Sequence, residues 1–457
     1  MKRILFIIPW SGFYIAYKEC NFTDEPERAP EGVVGLASYL KAHGVPVKIA
    51  DMQQMLRCNK GDDNRTLDEL WSICQSFKPE VIGFSFFTAR FQYVSHIFKY
   101  LVERFGVENQ KRPLLIAGGV HPTLLPENTL SYIPFDAVII GEGELPLLRL
   151  LQGESMENIK GIFHHRSTNI EKADVISNLD EIPFPDWNLI NKDFYTQPSH
   201  QISNAITHRV MPITFGRGCK YRCNFCAHNC FLYARCHSPE YFIKKMEWVS
   251  QQCNINTFII QDSSIGNFRH IWEDVCHRLV AKDTPYQWWA NLRANQVDED
   301  FLRLLKEAGC IKLFFGFESG SQRILDKMNK RITVEQCRKA ALLCHKIGIP
   351  FYTSYIINYF GEKEEDLELT EQLILETQPT SLAINKFSPV PGSMDYDKNI
   401  SFIEPYIRDI QDWTMLGMLN FPVLFGDMPQ ERFEYWYKRL RELKKHINTH
   451  ETVVTKS

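Results

Sequence analysis

Along the first 150 residues, short unbroken apolar runs alternate with longer segments whose apolar positions recur every three or four residues. The runs at 3–8, 46–51, 80–86, 113–117 and 136–140 predict strands, and 31–43, 66–77, 89–104, 123–132 and 143–151 predict helices. Strands that are apolar throughout are covered on both faces, so the pattern predicts a parallel, Rossmann-like sheet between helix layers. A second alternation begins at 211, with strands predicted at 212–216, 256–261, 286–292, 311–317, 349–357 and 381–387. Helices are predicted between and after them at 239–252, 268–281, 298–308, 321–328, 333–347 and 363–377. Six strand–helix pairs fall short of the eight that close a barrel, so a partial (β/α)6 barrel is expected. Between the two patterns, Pro183 and Pro185 stand among Phe184 and Trp187 in a polar frame, which predicts an extended linker docked by its aromatics. The tail is aromatic-rich and then basic and amphipathic from Glu431 to His446. The expected organisation is an α/β domain at 1–151, a linker at 152–210, a barrel core at 211–398 and a small α-rich C-terminal extension at 399–457.

Composition narrows the classes. With 44% hydrophobic and 23% charged residues, the chain is globular rather than disordered. Lys and Arg number 52 against 55 Asp and Glu, a net charge of −3 that leaves no electrostatic footprint for nucleic acid. No apolar stretch is long enough for a membrane span. Met1-Lys2-Arg3 before Ile4 to Ile8 imitates a signal peptide, but Pro9-Trp10-Ser11 is no small-residue cleavage site. A cytoplasmic protein is expected, and most of its 13 cysteines read as buried, reduced thiols.

One cysteine group stands apart. Gly216-Arg217-Gly218-Cys219-Lys220-Tyr221-Arg222-Cys223-Asn224-Phe225-Cys226 follows the first strand of the second pattern with Cys-x3-Cys-x2-Cys spacing. Three thiolates from one tight loop suit three irons of a [4Fe–4S] cluster, which four cysteines normally hold, so one iron would stay open to a small molecule. Zinc is the competing reading, because His228 could complete a tetrahedral site; Cys230 and Cys236 are the spare thiols.

This spacing after a strand, with an aromatic residue before the third Cys, resembles the radical S-adenosylmethionine (radical SAM) superfamily. The resemblance implies that the cluster binds SAM through its open iron and cleaves it to a 5′-deoxyadenosyl radical. It implies Phe225 near the adenine, Asp262 at the second strand end on the SAM amino group, and Arg293, Glu318 and Ser319 at the next two strand ends as further SAM contacts. One loop departs from the family's Gly-x-Pro-Gly-Glu-Thr: here Asn358-Tyr359-Phe360-Gly361-Glu362-Lys363 replaces its first Gly and its Pro. Phe387-Ser388-Pro389-Val390-Pro391-Gly392-Ser393 matches the family again.

The ends of the first-pattern strands carry Ser85-Phe86-Phe87-Thr88, Gly118-Gly119-Val120-His121-Pro122 and Gly141-Glu142-Gly143-Glu144. Together with the opening Pro30-Glu31-Gly32, these resemble the cobalamin-binding domain that precedes many radical SAM cores. The resemblance implies a Rossmann-like domain that binds cobalamin through Ser85, Phe86, Thr88, Gly118, Gly119, His121, Gly141, Glu142 and Gly143. His121 is read as lining the tail pocket or capping a helix, not as a cobalt ligand. The Asp-x-His-x-x-Gly loop that supplies an axial His elsewhere is missing; the loop after the first strand offers Trp10, Tyr14 and Tyr17.

The whole resemblance implies a radical SAM enzyme with a [4Fe–4S] cluster, SAM and cobalamin. The expected reaction is methylation of an unactivated carbon or phosphorus centre of a small molecule, with flavodoxin or ferredoxin as electron donor. Trp413, Phe421 and Phe425 are the expected walls of the substrate cavity. The competing expectations are a non-methylating radical reaction, a methylthiotransferase using Cys20, Cys58 and Cys74 for a further cluster, and a non-catalytic cobalamin or redox sensor.

Overall fold

The structure is a computed structural model and describes residues 1–10, 28–107, 112–200, 208–227, 233–408 and 423–454. Its first sheet contains β1 (Ile4–Ile8), β2 (Val47–Asp51), β3 (Val81–Ser85), β4 (Leu114–Gly118), β5 (Ala137–Ile139) and β6 (Ile162–Phe163). The order is β2-β1-β3-β4-β5-β6, parallel except for β6. The chain winds outward in both directions from β1 and β3, and such a reversal opens a crevice at the carboxyl ends of the strands. β6 pairs antiparallel with β5, so this sheet runs past the expected boundary at 151 into the segment read as linker. Two residues are too short to show any period. A helix at Met52–Cys58, started by the Asp51 side chain accepting from the Gln54 backbone N–H, was also not predicted.

Beyond the linker come β7 (Val210–Ile213), the ribbon strands β8 (Gly216–Arg217) and β9 (Arg235–Cys236), then β10 (Thr257–Ile260), β11 (Gln287–Leu292), β12 (Cys310–Glu318), β13 (Phe351–Ile357) and β14 (Ser381–Lys386). The second sheet runs β14-β13-β12-β11-β10-β7, all parallel. Sequential order without closure is the expected partial barrel. Its helices begin and end on local signals. Ser238 and Pro239 open Pro239–Cys253, and left-handed Asn254 closes it. Thr333 and Gln336 form a capping box on Val334–Ile347, with left-handed Gly348 after it.

The linker docks as its aromatics predicted. Trp187 is fully buried, and Phe184 packs against Tyr241 and Trp248. Asp186 pairs with Lys41 of the first domain, and its backbone N–H donates to Ser38. The helical extension is also observed: Gln430–Val454 lies along the edge strand β14 and buries Phe433, Trp436 and Leu440, spaced three and four apart. Among the described residues, no helix is long and apolar enough to cross a membrane.

Candidate active site between the two sheets

The carboxyl ends of the two sheets meet at a cleft with about 1600 Å³ of empty space, open mouth included. From the first sheet it is lined by Ser85, Gly118, Gly119, Gly141, Glu142 and Gly143. From the second it is lined by Gly216, Arg217, Gly218, Gln261, Asp262 and Ser263, with linker residues Ile182 and Pro183 between. Six of the nine residues expected to bind cobalamin thus share one wall.

Two further glycines join that wall. Gly32 and Gly35 face it from the helix Glu31–Ala42, and a Cβ at either would meet no atom within 4 Å. Side chains there would occupy the cleft itself. Gly119 is required for another reason: its φ is +97°, and a Cβ would stand 2.8 Å from the Phe86 backbone nitrogen. Bare backbone along strand ends and helix fits a bulky ligand that must approach closely, as cobalamin would. The spacing Gly32-x-x-Gly35 was the available signal for the helix glycines.

Phe86, Thr88 and His121 are placed elsewhere. His121 is fully buried, 3.1 Å from the Thr88 hydroxyl through Nδ1 and stacked on Phe86 with centroids 5.7 Å apart. Burial pushes its pKa down to about 3, so it is neutral. Phe86 belongs to the apolar core of this domain, and half-buried Thr88 meets the buried His121 beside it. Glu142 lines the cleft, but both its oxygens are committed. Arg217 Nη1 donates to it at 2.7 Å, Arg235 also donates to it, and Arg217 Nη2 donates to Glu144 at 2.8 Å. Glu142 therefore helps to join the sheets. A second joint lies beside it: Glu31 accepts from the Thr214 backbone and hydroxyl and pairs with Lys245 at 2.9 Å.

The three motif cysteines occupy one loop at the barrel mouth. Cys223 is buried, and Cys219 and Cys226 are half-buried. The loop is pinned by Asn224, which donates to the Lys327 carbonyl at 2.8 Å, and by Asn329, which donates to the Arg222 carbonyl at 2.7 Å. Among the described residues, no three His, Cys, Asp or Glu side chains are gathered at metal-ligand spacing. What fits a cluster is the donor set: three thiols on one loop, with Asn267 Nδ2 3.9 Å from the Cys219 sulfur and Arg293 Nη1 3.7 Å from the Cys223 sulfur. His228 and Cys230, the zinc alternative, lie outside the described residues. Cys236 is held on the ribbon strand β9.

The residues expected on SAM divide. Asp262 faces the cleft, accepts from the Phe215 N–H at 2.8 Å, and is pushed up to about 7 by burial. Phe225 is half-buried, with Lys330 Nζ 5.6 Å above its ring. Glu318 sits at a register shift of β12 with φ +65°, paired with Lys330 at 2.6 Å and accepting from Ser354. Strained backbone of this kind collects at functional sites. Ser319 is fully buried, with its hydroxyl against Thr370 and the Ser321 N–H, so it faces the helix layer rather than the mouth.

The departing loop has a structural partner. Asn358, left-handed at φ +65°, donates to the Val423 carbonyl and accepts from the Phe425 and Gly426 N–H groups. Phe360 packs on Phe387 and Phe425, with ring centroids 5.2 and 4.8 Å apart. The two replacements thus hold the C-terminal extension on the barrel mouth. Glu362 is buried there and pushed up to about 8 by burial. Trp413 and Phe421 lie outside the described residues, as do Tyr14, Tyr17 and Cys20. Trp10 is buried against Tyr93 and His96.

Comparison with known proteins finds two family models along the chain. Residues 26–151 match the B12 binding domain, and residues 213–374 match the Radical SAM superfamily. The chain is 26% identical over 341 residues to an uncharacterized methyltransferase of Pyrococcus horikoshii, covering 72% of each. It is 27% identical over 454 residues to the anaerobic magnesium-protoporphyrin IX monomethyl ester cyclase of Rubrivivax gelatinosus, covering 92% of this chain and 77% of that one. Its fold matches the radical S-adenosylmethionine methyltransferase TsrM of Kitasatospora setae, solved with cobalamin and a [4Fe–4S] cluster, with a TM-score of 0.67. That match is 16% identical and covers 88% of this chain and 75% of TsrM.

Proposed function

We propose, for a chain that belongs to the radical SAM enzymes with an N-terminal B12-binding domain, that it methylates an unactivated carbon or phosphorus centre of a small molecule. Its cofactors are a [4Fe–4S] cluster, SAM and cobalamin. When bound, the cluster and SAM supply a hydrogen-abstracting radical, and cobalamin supplies a methyl group. Cys219, Cys223 and Cys226 would hold the cluster. Gly32, Gly35, Ser85, Gly118, Gly119, Gly141 and Gly143 would cradle cobalamin with backbone and one hydroxyl. Asp262 would receive the SAM ammonium, whose charge favours the ionised carboxylate. A flavodoxin or ferredoxin would supply electrons.

The observation that carries this reading is the shared cleft: strand ends of both sheets line one space, and Gly218 on its wall immediately precedes Cys219. A radical and a methyl donor must act on one substrate within reach of each other, with water excluded. A non-methylating radical reaction is the second reading, supported by the cyclase relative that spans 92% of this chain.

The test begins with anaerobic protein reconstituted with iron, sulfide and cobalamin. SAM labelled in its methyl group and a one-electron reductant are then added. About one equivalent of cobalamin, label in the cobalamin fraction and release of 5′-deoxyadenosine are expected. 5′-Deoxyadenosine without label on cobalamin would replace methylation by the second reading. Intact SAM in reduced, cluster-loaded protein would leave a cobalamin or redox sensor.

A further inference from the structure

Arg293 has a surrounding that a SAM contact does not need. It follows β11 and is 8% exposed. Its guanidinium lies 3.6 Å from the centre of the Tyr221 ring, which belongs to the cysteine loop. One terminal nitrogen donates to the Lys330 carbonyl, and the other reaches the Cys223 sulfur at 3.7 Å. The loop after β10 supplies a second donor: Asn267, 4% exposed, with Nδ2 3.9 Å from the Cys219 sulfur. Two different strand ends thus aim buried N–H groups at two of the three motif thiols. A guanidinium stays protonated and is always a donor, so no tautomer or proton choice weakens the contact.

We propose that Arg293 and Asn267 are positioning residues for the cluster, donating to the Cys223 and Cys219 sulfurs so as to raise its reduction potential. The inference rests on the assignment of those thiols to the cluster. Hydrogen bonds and nearby positive charge stabilise the extra electron of a reduced cluster, and second-shell donors also fix the orientation of the ligands. Arg293 would act through Cys223, and stacking on Tyr221 would hold its planar head in place. Lys can carry the charge but not the planar fork or the stack.

The test is a redox titration of reconstituted full-length protein without SAM, following the cluster by electron paramagnetic resonance. Iron content, SAM affinity and thermal stability are measured alongside. Arg293→Gln should keep its cluster but lower its potential by about 59 mV, a tenfold smaller reduced-to-oxidised ratio at fixed poise. Arg293→Lys should fall between it and the unmodified protein. Asn267→Ala, which removes a neutral donor, should move the potential the same way by less. Iron and SAM binding in the unmodified protein set the reference. If that protein takes up no cluster, the ligand assignment fails first. If Arg293→Gln and Asn267→Ala keep both cluster and potential, the inference is overturned. If Arg293→Gln loses SAM affinity at unchanged potential, Arg293 is a SAM contact instead.

Discussion

On the first sheet, the strand ends facing the cleft are mostly bare: Gly118, Gly119, Gly141 and Gly143, with Gly32 and Gly35 of the helix Glu31–Ala42 beside them. On the second sheet, the strand ends carry Asp262, Arg293, Glu318 and Asn358, each held by hydrogen bonds. Strand order explains part of this. The first sheet reverses between β1 and β3 and leaves an open crevice, whereas the second runs in sequence and gathers all its ends at one mouth. Bare backbone suits a large ligand recognised by shape. Locked polar side chains suit charge placed in advance, where reorganisation during reaction is costly. The two sheets are therefore suited to different tasks, and the paired charges at Glu142, Glu144, Arg217 and Arg235 hold them at one distance.

The comparison breaks most completely at the cysteine loop. Cys219→Ala, Cys223→Ala and Cys226→Ala should each abolish SAM cleavage and lower iron content, measured by product chromatography and iron assay. Cys236→Ser should leave both intact, because burial pushes that thiol up to about 11 and keeps it protonated. Loss of cluster in Cys236→Ser, with retention in Cys219→Ala, would overturn the ligand set.

Gly35→Leu addresses the bare wall alone. Removing a mid-helix glycine should not weaken folding, since glycine costs a helix about 0.5–1 kcal/mol against alanine. Bound cobalamin should still fall at least tenfold while iron and melting temperature hold. Unchanged cobalamin content would mean the ligand does not approach that helix.

Arg217→Met attacks the joint. It leaves Glu144, with a 6% exposed side chain, without its cation. Stranding a buried charge should cost about 3 kcal/mol, read from urea unfolding. A change within experimental error would show that the sheets are held by the linker instead.

The smallest effect is at Glu362, and its sign is fixed. A carboxyl near 8 in the folded chain and near its ordinary value when unfolded binds more protons when folded. Its contribution is most favourable below the unfolded value and is lost as pH rises from about 4 to about 8. Glu362→Gln should therefore flatten the decline in stability over that window. An unchanged pH profile would show that Glu362 is ionised in the folded protein.

Much of the molecule was legible in its sequence. Eleven of the fourteen strands follow from apolar runs, the two-residue β6, β8 and β9 being the exceptions, and helix ends coincide with caps such as Ser238, Thr333 and Gly348. The cysteine loop and the glycine-rich strand ends were readable because their residues are sequence neighbours. The ion pair of Glu142 was not legible, because its partner Arg217 lies 75 residues away. Thr88 and His121 fall outside the cleft lining, because a strand-end position does not say which way the turn sends a side chain. Asn358 looked like a lost motif position until its partners at 423–426 came beside it.

The sequence alone determined two α/β units, their order along the chain and the three-thiol loop, because period, caps and spacing depend only on near neighbours. Tertiary structure decided that the two sheets share one cleft, that Arg217 joins them and that Arg293 lies against a thiol rather than in the open mouth. Those outcomes depend on which distant groups share a desolvated space, where each buried charge or donor must find a partner, and no local pattern encodes that choice.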